Sequence, residues 1–279
     1  MASDASYGPQ LDALLSAAVD LDAALRPGPR WGGDRRAAQH FLRLLAELSD
    51  EALLSLDRRV RSWSEWSGWG EGTRIARGLT SDDEPIVHAS AAACCFVNNG
   101  HLREAASRKL QREGQHSLRL LAIRATDWVP EVADAALEGL RLADAPSFVD
   151  HLALFETLTS ARSRASALRD LVAEKLIDPA ASDRVAALTR AQDAKSRRAA
   201  WEWLARLRPE VVGARLLEAA GDTDAWIRAW AYRHVDNAED ETRLALTGHA
   251  GCGSRSRCAR STSAGFTAPF PIARPACEL

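Results

Sequence analysis

Glutamate, histidine and cysteine are the side chains of this chain best suited to chemistry, and their spacing decides how much they can do. Glu113 and His116 stand three apart, the separation that would put a carboxylate and an imidazole on one helical face. Gly114 interrupts the helix they would share, and one such pair does not build a metal site. His88, His101, His151 and His234 are scattered, and read as surface or packing histidines. Cys94 and Cys95 are adjacent in an Ala-rich helical run, where they read as small buried residues. His249, Cys252 and Cys258, with Cys277 further on, match no compact zinc module. No Gly-rich phosphate loop, GxSxG nucleophile turn or HExxH pair occurs. The expectation is a protein that is not an enzyme and that holds no cofactor and no metal.

Binding chemistry is better represented. Seven of the nine tryptophans are clustered: Trp63, Trp66 and Trp69; Trp201 and Trp203; Trp226 and Trp230. Such rings serve either as core packing or as stacking surfaces and apolar anchors for a partner. Helical spacing favours packing for Trp203, Trp226 and Trp230, whereas Trp66 and Trp69 lie among glycines, where burial is harder. Positive charge is uneven. Residues 101–126 carry Arg103, Arg108, Lys109, Arg112, Arg119 and Arg124 against Glu104 and Glu113, and Arg197-Arg198 form a second basic pair. A groove gathering these cations would bind phosphate; the plainer reading is a set of solvated helix faces.

The formal net charge of −2 demands neither nucleic acid nor an anionic surface. Only Lys109, Lys175 and Lys195 among the 36 basic residues are Lys, a bias that reads as GC-rich bacterial coding sequence. Asp4, Asp12, Asp20 and Asp22 replace the basic start and apolar core of a signal peptide, and no apolar run approaches the ~20 residues of a membrane helix. The expected location is the cytoplasm.

The elements that must position these side chains are helices. Leu11, Leu14, Leu15, Ala18, Leu21 and Leu25 form one apolar face, stopped by Pro27-Gly28-Pro29. Two more helices follow through about Trp66, and Gly68, Gly70 and Gly72 make the next stretch irregular. Beyond it the periodicity predicts helices near 85–97, 101–112, 116–126, 129–142, 147–159, 163–177, 180–191, 194–207, 210–220 and 224–237. Their short connections call for antiparallel neighbours. From Gly248 the composition turns to Gly, Ser, Arg, Cys and Pro without apolar periodicity, which reads as disorder. The abruptness also fits an altered reading frame.

One phrase recurs. Asp127-Trp128-Val129-Pro130-Glu131-Val132, followed by Ala136, returns as Asp222 to Ile227 with Arg228 and Ala231, and as Asp82 to Val87 with Ala91. Each copy places an Asp five residues before a β-branched residue and a small residue four after it. Leu102-Arg103 with Ala106 and Leu110 matches the helix half. This resembles the HEAT-repeat family and its bacterial relatives, in which an Asp opens the second helix, a Val-Arg pair follows, and Ala permits close helix contact. Ala133 and His88 stand where that family prefers Arg. The resemblance covers roughly residues 80–240 and implies an α-solenoid of antiparallel helical hairpins that binds along an extended surface. HEAT-like glycosylases pair Trp with a catalytic Asp, a role that Asp127 beside Trp128 invites. The equivalent aspartates in the other copies favour helix capping instead, so that Asp127→Ala or Asp222→Ala would cost about 1 kcal/mol. HEAT-fold iron hydroxylases use His-Glu dipeptides, which are absent here.

The reading is thus an all-α chain: an N-terminal helix and Pro/Gly break at 1–30, a HEAT-like repeat domain at 31–247, and a tail at 248–279. It acts as a non-catalytic scaffold for another protein, through Trp66, Trp69, Arg103, Arg108, Lys109, Arg112, Trp128, Arg197, Arg198 and Trp226. The alternative is a nucleic-acid-binding or DNA-repair protein using the same cations. A small-molecule-handling protein finds no polar constellation in the sequence to support it.

Overall fold

Helix caps and apolar stripes written into the sequence account for where the elements begin and which faces they bury. A computed structural model describes residues 7–25, 33–62, 73–111, 117–161, 164–237, 242–244 and 246. Every regular element among them is helical: α1 (Gly8–Ala24), α2 (Gly33–Glu47), α3 (Asp50–Ser62), α4 (Thr73–Gly78), α5 (Glu84–Cys94), α6 (Gly100–Leu110), α7 (Leu118–Arg124) and α8 (Pro130–Leu142). There follow α9 (Ala145–Asp150), α10 (Leu152–Ala161), α11 (Ser166–Leu176), α12 (Pro179–Leu188), α13 (Ala194–Leu207), α14 (Pro209–Ala220), α15 (Ala225–Arg233) and a 3-10 turn, Val235–Asn237. Among the described residues no helix is long and apolar enough to cross a membrane.

The chain divides into two compact units, Met1–Pro209 and Glu210–Leu279, a boundary that the sequence reading does not mark. In the first unit each helix packs against its neighbours. α7 packs on α10 and α10 on α13, while α5, α6, α8 and α11 succeed one another alongside. Further contacts join α7 with α8, α10 with α11, and α12 with α13. Ion pairs from Arg119 to Asp50 and from Arg124 to Asp57 bind α7 to α3. A third pair, Lys195 with Glu51, joins the first turns of α13 and α3. Gly139 of α8 sets how closely that helix can lie: a Cβ there would meet Gln111 Cγ at 2.6 Å and Leu121 Cδ1 at 3.0 Å. In the second unit Val212, Leu216 and Ala219 of α14 and Ile227, Trp230 and Ala231 of α15 are buried, and the His234 ring stacks on Trp230 at 4.1 Å.

The repeated phrase has a local mechanism, and it differs from the expected one. The residue before α15 is Asp224, whose carboxylate accepts the Trp226 and Ile227 amides at 3.0 and 3.1 Å; Asp222, two residues earlier, accepts the Asp224 amide. Asp127 likewise lies too early to cap α8. Pro130 sets the first helical position, Val129 occupies the cap without a side-chain hydrogen bond, and Asp127 accepts the Val129 amide at 3.1 Å. Asn99, Asp178 and Asp193 make the same two-amide cap as Asp224 at α6, α12 and α13.

Three of these caps carry an arginine four residues later that folds back on the preceding loop. Arg103 Nη1 donates to the carbonyls of Val97 and Asn98 at 2.9 and 2.7 Å. Arg197 Nη1 donates to Ala191 and Gln192 at 2.9 and 2.8 Å, and Arg228 Nη1 to Asp222 and Thr223 at the same two distances. The carbonyls at a loop's turn into a helix otherwise need water or a donor, and each arginine supplies one charge-assisted donor to two of them.

Candidate functional site

The turn from α7 into α8 builds from an interior outward. Asp127 is buried, with both oxygens engaged: Arg103 Nε and Arg124 Nη1 donate to Oδ2 at 3.0 Å each, and Arg103 Nη2 donates to Oδ1 at 3.1 Å. Arg124 Nη2 reaches on to Asp57, so two guanidinium groups and two carboxylates alternate in one buried network. Burial alone raises a carboxyl pKa. At Asp127 the Arg124 charge, the Arg103 hydrogen bonds and the Val129 amide outweigh it and hold the group below the ordinary carboxylate range. Burial lowers the pKa of a guanidinium, but Asp57 and Asp127 more than compensate at Arg124 and push it up.

That geometry decides what Asp127 can do. A carboxylate with both oxygens paired and its pKa depressed is a poor base and a hindered nucleophile. The neighbouring thiols are no better placed. Burial pushes Cys95 up to about 12, Arg124 opposing and Asp57 and Asp127 reinforcing the rise, and burial raises Cys94 further. Both stay protonated at neutral pH, which is the unreactive form.

Above this network sits Trp128, 62 % exposed. Its ring lies 5.8 Å from Arg103 Cζ, within cation–π range, and its carbonyl accepts Arg164 Nη1 at 2.7 Å. The indole is therefore presented to solvent from a backbone that is held on both sides. No protein-family model matches the chain, and no curated protein matches it.

The remaining candidates fall in different places. Arg103 and Arg197 are buried and donate to the loop carbonyls. Arg108 is exposed and pairs with Glu104 at 2.6 Å; Lys109 is half-buried. Trp226 is half-buried in the second unit, with Arg233 Cζ 5.6 Å from its ring, and Arg198 is half-buried on α13. Trp201, Trp203 and Trp230 are core residues. Trp66, Trp69, Arg112 and the tail from Gly248 lie outside the described residues.

At the other end of α7 the fold assembles residues that the sequence scatters. Leu42, Arg43, Leu45 and Ala46 of α2, Leu53 of α3, His88 of α5, Arg119 and Leu120 of α7, and His151 line a cavity of about 560 Å³. His151 is the break between α9 and α10, where φ −116° and ψ 20° leave helical geometry. The sequence predicts one helix over 147–159, and no Gly or Pro announces the break. The only cue is a polar Asp150-His151 step inside an otherwise apolar run.

Proposed function

We propose that the chain is a HEAT-like helical-repeat module that holds another protein without catalysing a reaction on it, and that Trp128 is its anchor. One observation carries this reading: a large indole, 62 % exposed, stands on a turn whose carboxylate and carbonyl are both tied down by arginines. An aromatic side chain held in place before binding loses little freedom when a partner covers it, which is the property of interface hot spots. The cap-and-arginine turns at Asn99, Asp193 and Asp224, and the succession of α7, α10 and α13, support the repeat reading.

The nucleic-acid alternative loses support from the same arginines. Of the basic residues in 101–124, Arg103 and Arg124 are buried in the ion network, Arg119 is paired with Asp50 and Arg108 with Glu104. Phosphate binding draws on charges that can be released to the phosphate backbone. The test is a photo-crosslinking amino acid in place of the exposed Glu131, three residues from Trp128, in cells, read by mass spectrometry, beside Trp128→Ala pull-downs and anisotropy with labelled duplex DNA at two salt concentrations. A discrete crosslinked protein, absent from the Trp128→Ala pull-down while the variant melts as the parent does, is the expected result. Unchanged capture by Trp128→Ala, or salt-sensitive DNA binding that survives beside an empty crosslink, would overturn it.

A further inference from the structure

The cavity at the start of α7 is a second site, separate from the Trp128 turn. Its floor is apolar: Leu42, Leu45 and Ala46 lie at helical spacing on α2, and Leu53 and Leu120 close it from α3 and α7. Its polar edge is basic. Arg119 Nε donates to Asp50 at 2.8 Å and Nη2 to the Leu48 carbonyl at 2.5 Å, which leaves Nη1 without an acceptor among the described residues. Those two bonds hold the guanidinium in one orientation, with its side chain 17 % exposed. Arg43 donates Nη2 to His40 Nδ1 at 2.9 Å and has Nε and Nη1 to spare. His88 and His151 complete the edge.

Charge and size then select the ligand. Two guanidinium groups stand against Asp50, and Asp150, which also acts on His151, is paired with Arg184; the single positive excess that remains matches a monoanion better than a dianion. Burial holds His151 below its ordinary range; Asp50 and Asp150 oppose this and Arg119 reinforces it, so its ring is neutral at neutral pH and offers a hydrogen bond rather than a charge. A volume of about 560 Å³ falls within the ~300–1,000 Å³ of small-molecule pockets, which are mostly apolar with a few convergent polar groups. We infer that this cavity binds a small amphipathic carboxylate, its head on Arg43 and Arg119 and its apolar body on Leu42, Leu45, Leu53 and Leu120.

Isothermal titration of the full chain with sodium octanoate, octan-1-ol and inorganic phosphate tests this. Two variants accompany it: Arg43→Met, which removes an exposed charge, and Ala46→Trp, which fills the cavity from an exposed position. Octanoate should bind once per chain. Octanol should be at least tenfold weaker, inorganic phosphate weaker still, Arg43→Met about fivefold weaker for octanoate, and Ala46→Trp without binding while its melting is unchanged. Equal binding of octanol and octanoate together with an unaffected Arg43→Met would reduce the site to an apolar dent. Phosphate binding as tight as octanoate would remove the apolar half of the assignment, and no octanoate binding at millimolar concentration would overturn it entirely. None of these results bears on Trp128, which lies at the other end of α7.

Discussion

Helix α7 carries an arginine at each end, and the two have opposite environments. Arg124 has a side chain 2 % exposed and is enclosed by Asp57 and Asp127; Arg119 is 17 % exposed, shares one carboxylate, Asp50, and faces a cavity. Within five residues the same side chain is a structural member at one end and an available donor at the other. The difference lies in what surrounds it. Where two buried carboxylates neutralise the guanidinium the arginine specifies the fold, and where it shares a single, partly exposed one beside a cavity it can specify a ligand.

The largest test of that contrast is Asp127→Ala. It takes the carboxylate from Arg103 and leaves Arg124 with Asp57 alone, and breaking a buried pair from one side costs about 3–5 kcal/mol, readable as a shift in the urea midpoint. The same change at Asp224 removes only a helix cap, and should cost about 1 kcal/mol. If the two losses match, the network is no more than a cap. Between the two ends of α7, Gly139→Val would drive a side chain against Gln111 and Leu121, for a loss of about 1–3 kcal/mol by chemical denaturation. Arg119→Met should cost about 1 kcal/mol or less, because its pair with Asp50 is partly solvated. A loss as large as that of Asp127→Ala would erase the distinction.

Titration sharpens the comparison with opposite onsets. Asp127 has its folded pKa depressed, so its stabilisation is complete above about pH 3.9, the ordinary Asp value, and is lost as pH falls through the folded value. His151 is depressed too, mainly by burial, but for a base that means the unfolded chain takes up the proton first. Stability therefore declines from about pH 6.5 downward and levels off below the folded pKa. Denaturant midpoints between pH 7 and pH 5 should fall in the parent and stay flatter in His151→Gln. An identical slope in both would show that His151 does not see the burial its position implies.

These two regions were unequally legible in the sequence. Helix positions from Glu84 onward, the break at His151 apart, follow from apolar periodicity, Pro and Gly, because those signals act over a few residues. The Trp128 turn was visible through its recurring phrase, but the role of Asp127 was not. Capping needs only the next three residues, whereas the partners that claim this carboxylate, Arg103 and Arg124, come from two helices and lead on to Asp57 far earlier in the chain. The Arg103 latch could have been read, since Asn99 and Arg103 have the spacing of Asp224 and Arg228. The cavity could not. Arg43, His88, Arg119 and His151 are spread over four segments, and only helix packing makes them neighbours.

The arginine latch has a consequence for how such a chain can grow. Each copy is complete within seven residues, 97–103, 191–197 and 222–228: loop carbonyls, capping side chain and guanidinium all come from one stretch. A duplication that copies the stretch copies the joint itself, while the 97–103 copy additionally draws on the Asp127 carboxylate outside it. Length can then be added or removed one hinge at a time, and the same seven residues are a portable part for joining helices in a protein of different sequence.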